Sequence, residues 1–192
     1  MAVTRINTSS FTSLNKYDVA AADNNYMETI ASTSVGAGGT STITFSDIPQ
    51  GYLHLQIRSI GRSTTTVETT SLRFNSDTSA SYSRHYMYGS HSTGPFAGSS
   101  TSSTSIIDPF AQPSSGFIAN TFGVTILDIL DYSNSNKNKT TRSFAGNEHN
   151  TVGYMFINSG LWMNTSPITS ITITAGASFA QYSRFSLYGI KG

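Results

Sequence analysis

The 192-residue chain has no cysteine, so neither a disulfide framework nor a thiolate metal site is available to it. It is also poor in charge. Lys, Arg, Asp and Glu together make up 11% of the residues, against the roughly 25% usual in soluble domains. The formal net charge is +1 and the basic residues are scattered, which excludes the clustered phosphate contacts of a nucleic-acid binder. No apolar run approaches the ~20 residues of a membrane span. The N-terminus has no charged segment followed by an apolar one, so no secretory leader is read. These absences predict a product made in a cytoplasm, with no nucleic-acid and no membrane partner.

Hydroxyl side chains fill the space that charge leaves. The chain holds 32 Ser and 26 Thr, a bias that suits strand faces and turns. With 10 Tyr, 11 Phe and one Trp it is too aromatic for a disordered chain. Its length fits one domain with a real core.

From Thr40 onward the apolar residues recur with a period of two. In Phe179 to Tyr188 the alternation sets Phe185 and Leu187 on one face, with Tyr182, Arg184 and Tyr188 on the other. Leu53, Leu55 and Ile57 alternate likewise with His54, Gln56 and Arg58. Further strands are read at Met27 to Ser34, Ser41 to Phe45, Ser71 to Asn75, Tyr82 to Tyr88, Ser103 to Ile107, Phe117 to Ala119, Phe122 to Leu130, Thr140 to Phe144, Val152 to Trp162 and Ile168 to Thr174. The first two, joined by Gly36 to Gly39, read as a hairpin. Phe122 to Leu130 is apolar on both faces and should be central. Strands at roughly 8–12-residue spacing predict an all-β, antiparallel two-sheet sandwich, jelly-roll-like. Its expected core includes Leu53, Leu55, Ile57, Leu72, Phe74, Val124, Ile126, Leu127, Ile129, Ile171, Ile173, Phe185 and Leu187. Gly89 to Ser105 and Tyr132 to Lys139 read as loops.

Residues 1–25 differ from the sandwich of 26–192. They carry isolated apolar groups in polar surroundings, with no sustained period. Ile6, Phe11, Leu14 and Tyr17, with Arg5 beside them, read as an extended arm that docks on a partner, since a solvated tail has no need of spaced large apolar groups.

The sequence shows no equipment for catalysis. It has no Gly-x-Ser-x-Gly elbow, and its four histidines read as surface residues. Asp128 and Asp131 stand three apart on a strand and so point to opposite faces, which argues against a shared acid–base site. Asp128 should pair with a strand neighbour, and Asp131 should open the following turn. Asn75-Ser76-Asp77 lacks the glycine and distal Glu of a calcium loop and reads as an Asx turn. Lys137, Lys139 and Arg142 read as a solvated basic loop. No cofactor and no metal site are expected. Tyr82, Tyr86, Tyr88, Trp162, Tyr182 and Tyr188 admit two roles, a sugar-stacking platform or packing in a core or subunit interface. The second is the reading taken, with Tyr82, Tyr86, Tyr88, Trp162 and Tyr182 as interface residues.

Several stretches resemble a β module of tailed-phage virion proteins: Ile43 to Arg58, Leu72 to Asn75 with the Tyr-Ser-Arg strand after it, Leu130-Asp131-Tyr132 before Lys137 to Lys139, and Phe185 to Lys191. The resemblance covers residues 26–192 and carries no functional residues with it. That module appears at tail-fibre ends and as free-standing virion proteins. A fibre needs a shaft, such as a heptad or β-helical repeat, and none is read here. The expectation is therefore a capsid cement or decoration protein. It would sit on the capsid exterior as a homotrimer gripping the major capsid protein. A receptor- or glycan-binding tail-fibre tip is the alternative.

Overall fold

The computed structural model describes residues 26–91, 94–150 and 152–192. The twelve strands found there are β1 (Met27–Ser34), β2 (Thr40–Phe45), β3 (His54–Gly61), β4 (Thr70–Phe74), β5 (Tyr82–Ser90), β6 (Phe96–Ser103), β7 (Ile106–Ile107), β8 (Gly123–Leu130), β9 (Lys139–Glu148), β10 (Gly153–Trp162), β11 (Ile171–Phe179) and β12 (Arg184–Ile190). No helix occurs among the described residues.

Two antiparallel sheets form. One has eight strands in the order β1-β12-β3-β8-β9-β10-β5-β6, the other four in the order β2-β11-β4-β7. The block β1-β12-β3-β8 facing β2-β11-β4-β7 is a jelly roll, with strands that alternate between layers. The remaining strands β9, β10, β5 and β6 extend the large sheet to one side. The sandwich and the central place of β8, between β3 and β9, agree with the sequence reading.

The core lies between the layers. Leu55 and Ile57, Leu127 and Ile129, and Phe185 and Leu187 come from β3, β8 and β12. They meet Ile43 and Phe45, Ile171 and Ile173, and Leu72 and Phe74 from β2, β11 and β4. Ten of the thirteen expected core residues are buried there. The other three are corrections. Val124 and Ile126 are 57% and 45% exposed, because the small sheet covers only the face of β8 that carries Leu127 and Ile129. Leu53 is 46% exposed, one residue before β3 begins.

Other elements also differ from expectation. Met27–Ser34 and Thr40–Phe45 form no hairpin: β1 pairs with β12 and β2 with β11, in different sheets. The stretch read as the loop Gly89 to Ser105 contains β6, paired antiparallel with β5 with one register shift between Tyr82 and Arg84. The stretch Phe117 to Ala119 is a turn, tied down by Arg62, whose guanidinium donates to the carbonyls of Ser115, Phe117, Ile118 and Thr121.

Asp77 acts as the Asx-turn residue it was read as, accepting the Ser79 N–H at 2.8 Å. It also accepts the indole N–H of Trp162 at 2.7 Å and the Ser81 hydroxyl at 2.9 Å. These donors favour the ionised form and hold its pKa well below the usual carboxylate range, the Ser79 hydrogen bond most of all. Stability from this site is therefore fully present above the unfolded value of about 4 and is lost as pH falls below it.

Three substitutions test this account of the fold. Leu187→Ala should cost about 2–5 kcal/mol, the range of large-to-small core changes. At high dilution Ile126→Ala should cost less than about 1 kcal/mol, as urea denaturation followed by circular dichroism would measure. In the same assay Asp77→Asn should lower stability at pH 7 and flatten its fall between about pH 4 and 2, whereas an unchanged acid limb would show that other carboxylates govern it.

Candidate functional site

The small sheet ends at β7, so the inner face of β10, β5 and β6 extends beyond it. Alternation decides which residues stand on that face. Tyr82 is buried against Phe74 and Trp162 in the core, so Arg84, Tyr86 and Tyr88 share its side of β5. By register Asn158 lies opposite Tyr86 and Phe156 opposite Tyr88 on β10, while Gly98 and Phe96 lie opposite them on β6.

The result is a run of rings under the overhang. Tyr86 and Tyr88 stack at 6.3 Å, and Phe96 lies 5.3 Å from Tyr88. Phe156 lies 5.5 Å from Tyr88, with Tyr154 6.0 Å further on. Gly98 makes this possible. A Cβ at that position would meet the Tyr86 hydroxyl at 2.6 Å, so only a glycine lets the Tyr86 ring lie across β6.

Polar groups stand beside the rings. A cleft of about 470 Å³ is lined by Glu68, Asp108, Gln112, Asn147 and Phe156 among others. A recess of about 150 Å³ adjoins it through Asp108 and Phe156, lined also by Arg84, Tyr86, Tyr88 and Asn158. Arg84 is fixed from several sides. It donates to the Ile107 carbonyl at 2.6 Å, stands 3.6 Å from the Asp108 carboxylate and lies over the Tyr86 ring at 4.3 Å. The Asn158 amide donates to the Ile107 and Asp108 carbonyls, and that of Gln112 to Thr69. Each of these side chains keeps a buried atom, closed off from solvent, with no hydrogen-bond partner among the described residues: Arg84 Nε, Asn158 Oδ1, Gln112 Oε1 and Asn147 Oδ1. Asn158 is 3% exposed and Gln112 2%. Such groups usually find a partner inside a fold, and leaving one without costs about 1–3 kcal/mol. Glu68 accepts the Ser114 N–H at 2.9 Å, and burial pushes its carboxyl pKa up.

The structure divides the aromatic residues singled out in the sequence. Tyr86 and Tyr88 line the recess that adjoins the cleft. Tyr82 and Trp162, read as subunit-interface residues, are 0% and 1% exposed within the core of their own chain, and burial pushes the Tyr82 phenol up to about 12. They are not available to a partner. Tyr182 is 72% exposed in the turn before β12, and Tyr188 lies on the outer face beneath Arg58. The arm residues Arg5, Ile6, Phe11, Leu14 and Tyr17 lie outside the described residues. Asp128 pairs with Arg142 at 2.9 Å, and Asp131 begins the turn after β8 with a φ of 49°. The solvated basic loop needs a correction. Lys139 is fully buried, its ammonium donating to the carbonyls of Asn134, Lys137 and Thr165.

Sequence reasoning missed Asn147, Asn158, Gln112, Asp108 and Glu68, which carry no spacing signal. The i, i+2 pair Tyr86/Tyr88 did mark one aromatic strand face, whereas Tyr154/Phe156, which carries the same spacing, was missed. Among the described residues no cluster of metal-ligating side chains occurs.

No protein-family model and no curated protein matches the sequence. Among solved structures, the chain is similar to a galectin of Caenorhabditis elegans at 6% identity and a TM-score of 0.34, over 84% of this chain and 96% of that one. It is similar to an alginate lyase of Aplysia kurodai at 8% identity and a TM-score of 0.29, over 83% of this chain and 80% of that one. At these values the likeness carries no argument, and the reading of the site rests on its own residues.

Proposed function

We propose that the chain is a non-catalytic carbohydrate-binding virion protein, with the cleft under the overhanging strands as its saccharide site. One observation carries the reading: a row of aromatic rings stands beside a cleft and recess lined by amide, carboxylate and guanidinium side chains. A sugar presents C–H faces that lie on aromatic rings, and hydroxyls that both donate and accept. The cleft volume of about 470 Å³ falls within the ~300–1,000 Å³ of small-molecule sites. The ionisable groups favour a neutral sugar, because Arg84 is held by Asp108 and Glu68 repels a further carboxylate. Within the virion resemblance this is the tail-tip role, reading glycans on a host surface.

Calorimetric titration of the full chain against neutral and acidic oligosaccharides tests the proposal. Tyr88→Ala should weaken neutral-sugar binding about tenfold, equivalent to ~1.4 kcal/mol. Tyr182→Ala, outside the cleft, should leave binding unchanged. If no neutral saccharide binds saturably, the reading fails.

Decoration of a capsid exterior, as a homotrimer bound to the major capsid protein, is the second reading. The spaced apolar residues of 1–25 favour it. On this reading, deleting Met1 to Asp23 should sharply reduce binding to undecorated capsids and the protection of the shell against heat. Equal binding by both forms would remove the arm from the account.

A further inference from the structure

The outer face of the large sheet is apolar across its middle, and its pattern is self-complementary. Two adjacent rows cross β8, β9, β10 and β5. The first reads Val124, Gly146, Met155, Gly89; the second reads Ile126, Phe144, Ile157, Met87. The six apolar side chains are each 45–59% exposed. The glycines of the first row help to line a hollow of about 800 Å³, beside the ridge that Phe144 and Met87 raise in the second.

We infer that this face binds the same face of a second copy about a twofold axis. The axis lies between the sheets, runs across the strands and passes midway between Phe144 and Gly146. Such an axis lays each strand antiparallel over its own copy and exchanges the two rows. Phe144 then faces Gly146, Met87 faces Gly89, Val124 faces Ile126 and Met155 faces Ile157, so that every large knob meets a hole or a partner of moderate size. The same axis exchanges the residues that bracket the rows on β9. Arg142, whose side chain is 73% exposed while it holds Asp128, comes over Glu148, which is also exposed. Shape and charge therefore select the same register, as an isologous interface requires. Stacked sheets pack about 10 Å apart with their strands within about 30°, so the register holds best near the axis, at β9 and β10.

The area agrees with this. Six side chains about half exposed present on the order of 500 Å² of apolar surface. Monomers seldom leave more than that in one patch, and with a polar rim it approaches the ~800 Å² that each partner contributes to a standard interface. The saccharide cleft lies on the opposite face of the sheet, so this inference does not rest on the proposed function.

The test is the solution mass of the full chain by sedimentation equilibrium, with circular dichroism to confirm folding of each variant. Wild type should reach twice the 20.6 kDa chain mass. Arg142→Glu and Glu148→Arg should each weaken dimerisation on the order of tenfold, and the double exchange should restore it. Gly89→Leu gives a test free of charge: a Cβ there meets nothing within 4 Å in the monomer, yet the side chain fills the hole for Met87 and should abolish the dimer. A wild type that stays monomeric at high concentration, a trimeric mass, or a Gly89→Leu variant that still dimerises would overturn the inference.

Discussion

A sheet of eight strands packed on a sheet of four leaves half of its inner face without a partner layer, and the remaining features of this protein follow from how that half is used. Over the covered half, alternation buries Leu55, Ile57, Leu127, Ile129, Phe185 and Leu187 against the small sheet. Over the uncovered half, the same alternation presents Tyr86, Tyr88 and Phe156 to a cleft. The periodicity does not change from one half to the other. What changes is the layer above it, and that converts a core face into a binding face.

Two of the loops outside the cleft are held by cations. Arg62 gathers four carbonyls of the 115–121 turn, and Lys139 gathers three around the turn after β8. In a chain with 11 basic residues, two are thus spent on backbone carbonyls rather than on solvent or carboxylates. Burial lowers the Lys139 pKa, while the Asp131 charge opposes that shift. The carbonyls satisfy all three ammonium protons, which is the condition for holding a charge out of water.

Much of the fold was legible in the sequence, and the reasons for the gaps are physical. Period-two apolar runs identify β3, β4, β8, β11 and β12 because their inward residues are large and apolar. β6 escapes because Ala97 to Ser103 carries only small or hydroxyl side chains, so no apolar face marks it. The burial of Ile126 was misjudged because alternation specifies two faces and not which of them has a layer over it. The relation of β1 to β2 is likewise a topological fact: Gly36 to Gly39 make a turn that is equally suited to a hairpin or to a crossing between layers. Among the site residues, Tyr86 and Tyr88 stood out by spacing. Asn158 and Gln112 did not, because an isolated amide in a strand or loop has no pattern until its neighbours in space are known.

The pairing of β1 with β12 has a mechanical consequence. Met27 faces Ile190 in the register, and the Lys191 N–H donates to the Tyr26 carbonyl, so the chain enters and leaves the described fold at one corner. A load applied between those two points would unzip the β1–β12 ladder one hydrogen bond at a time, the weak direction for a sheet. A load between that corner and a ligand under β5 acts differently. Six strand spacings separate them, about 30 Å, and each ladder between carries the pull over all of its hydrogen bonds at once. Gripped at a single point and tugged through its cleft, the molecule would behave as a stiff strut.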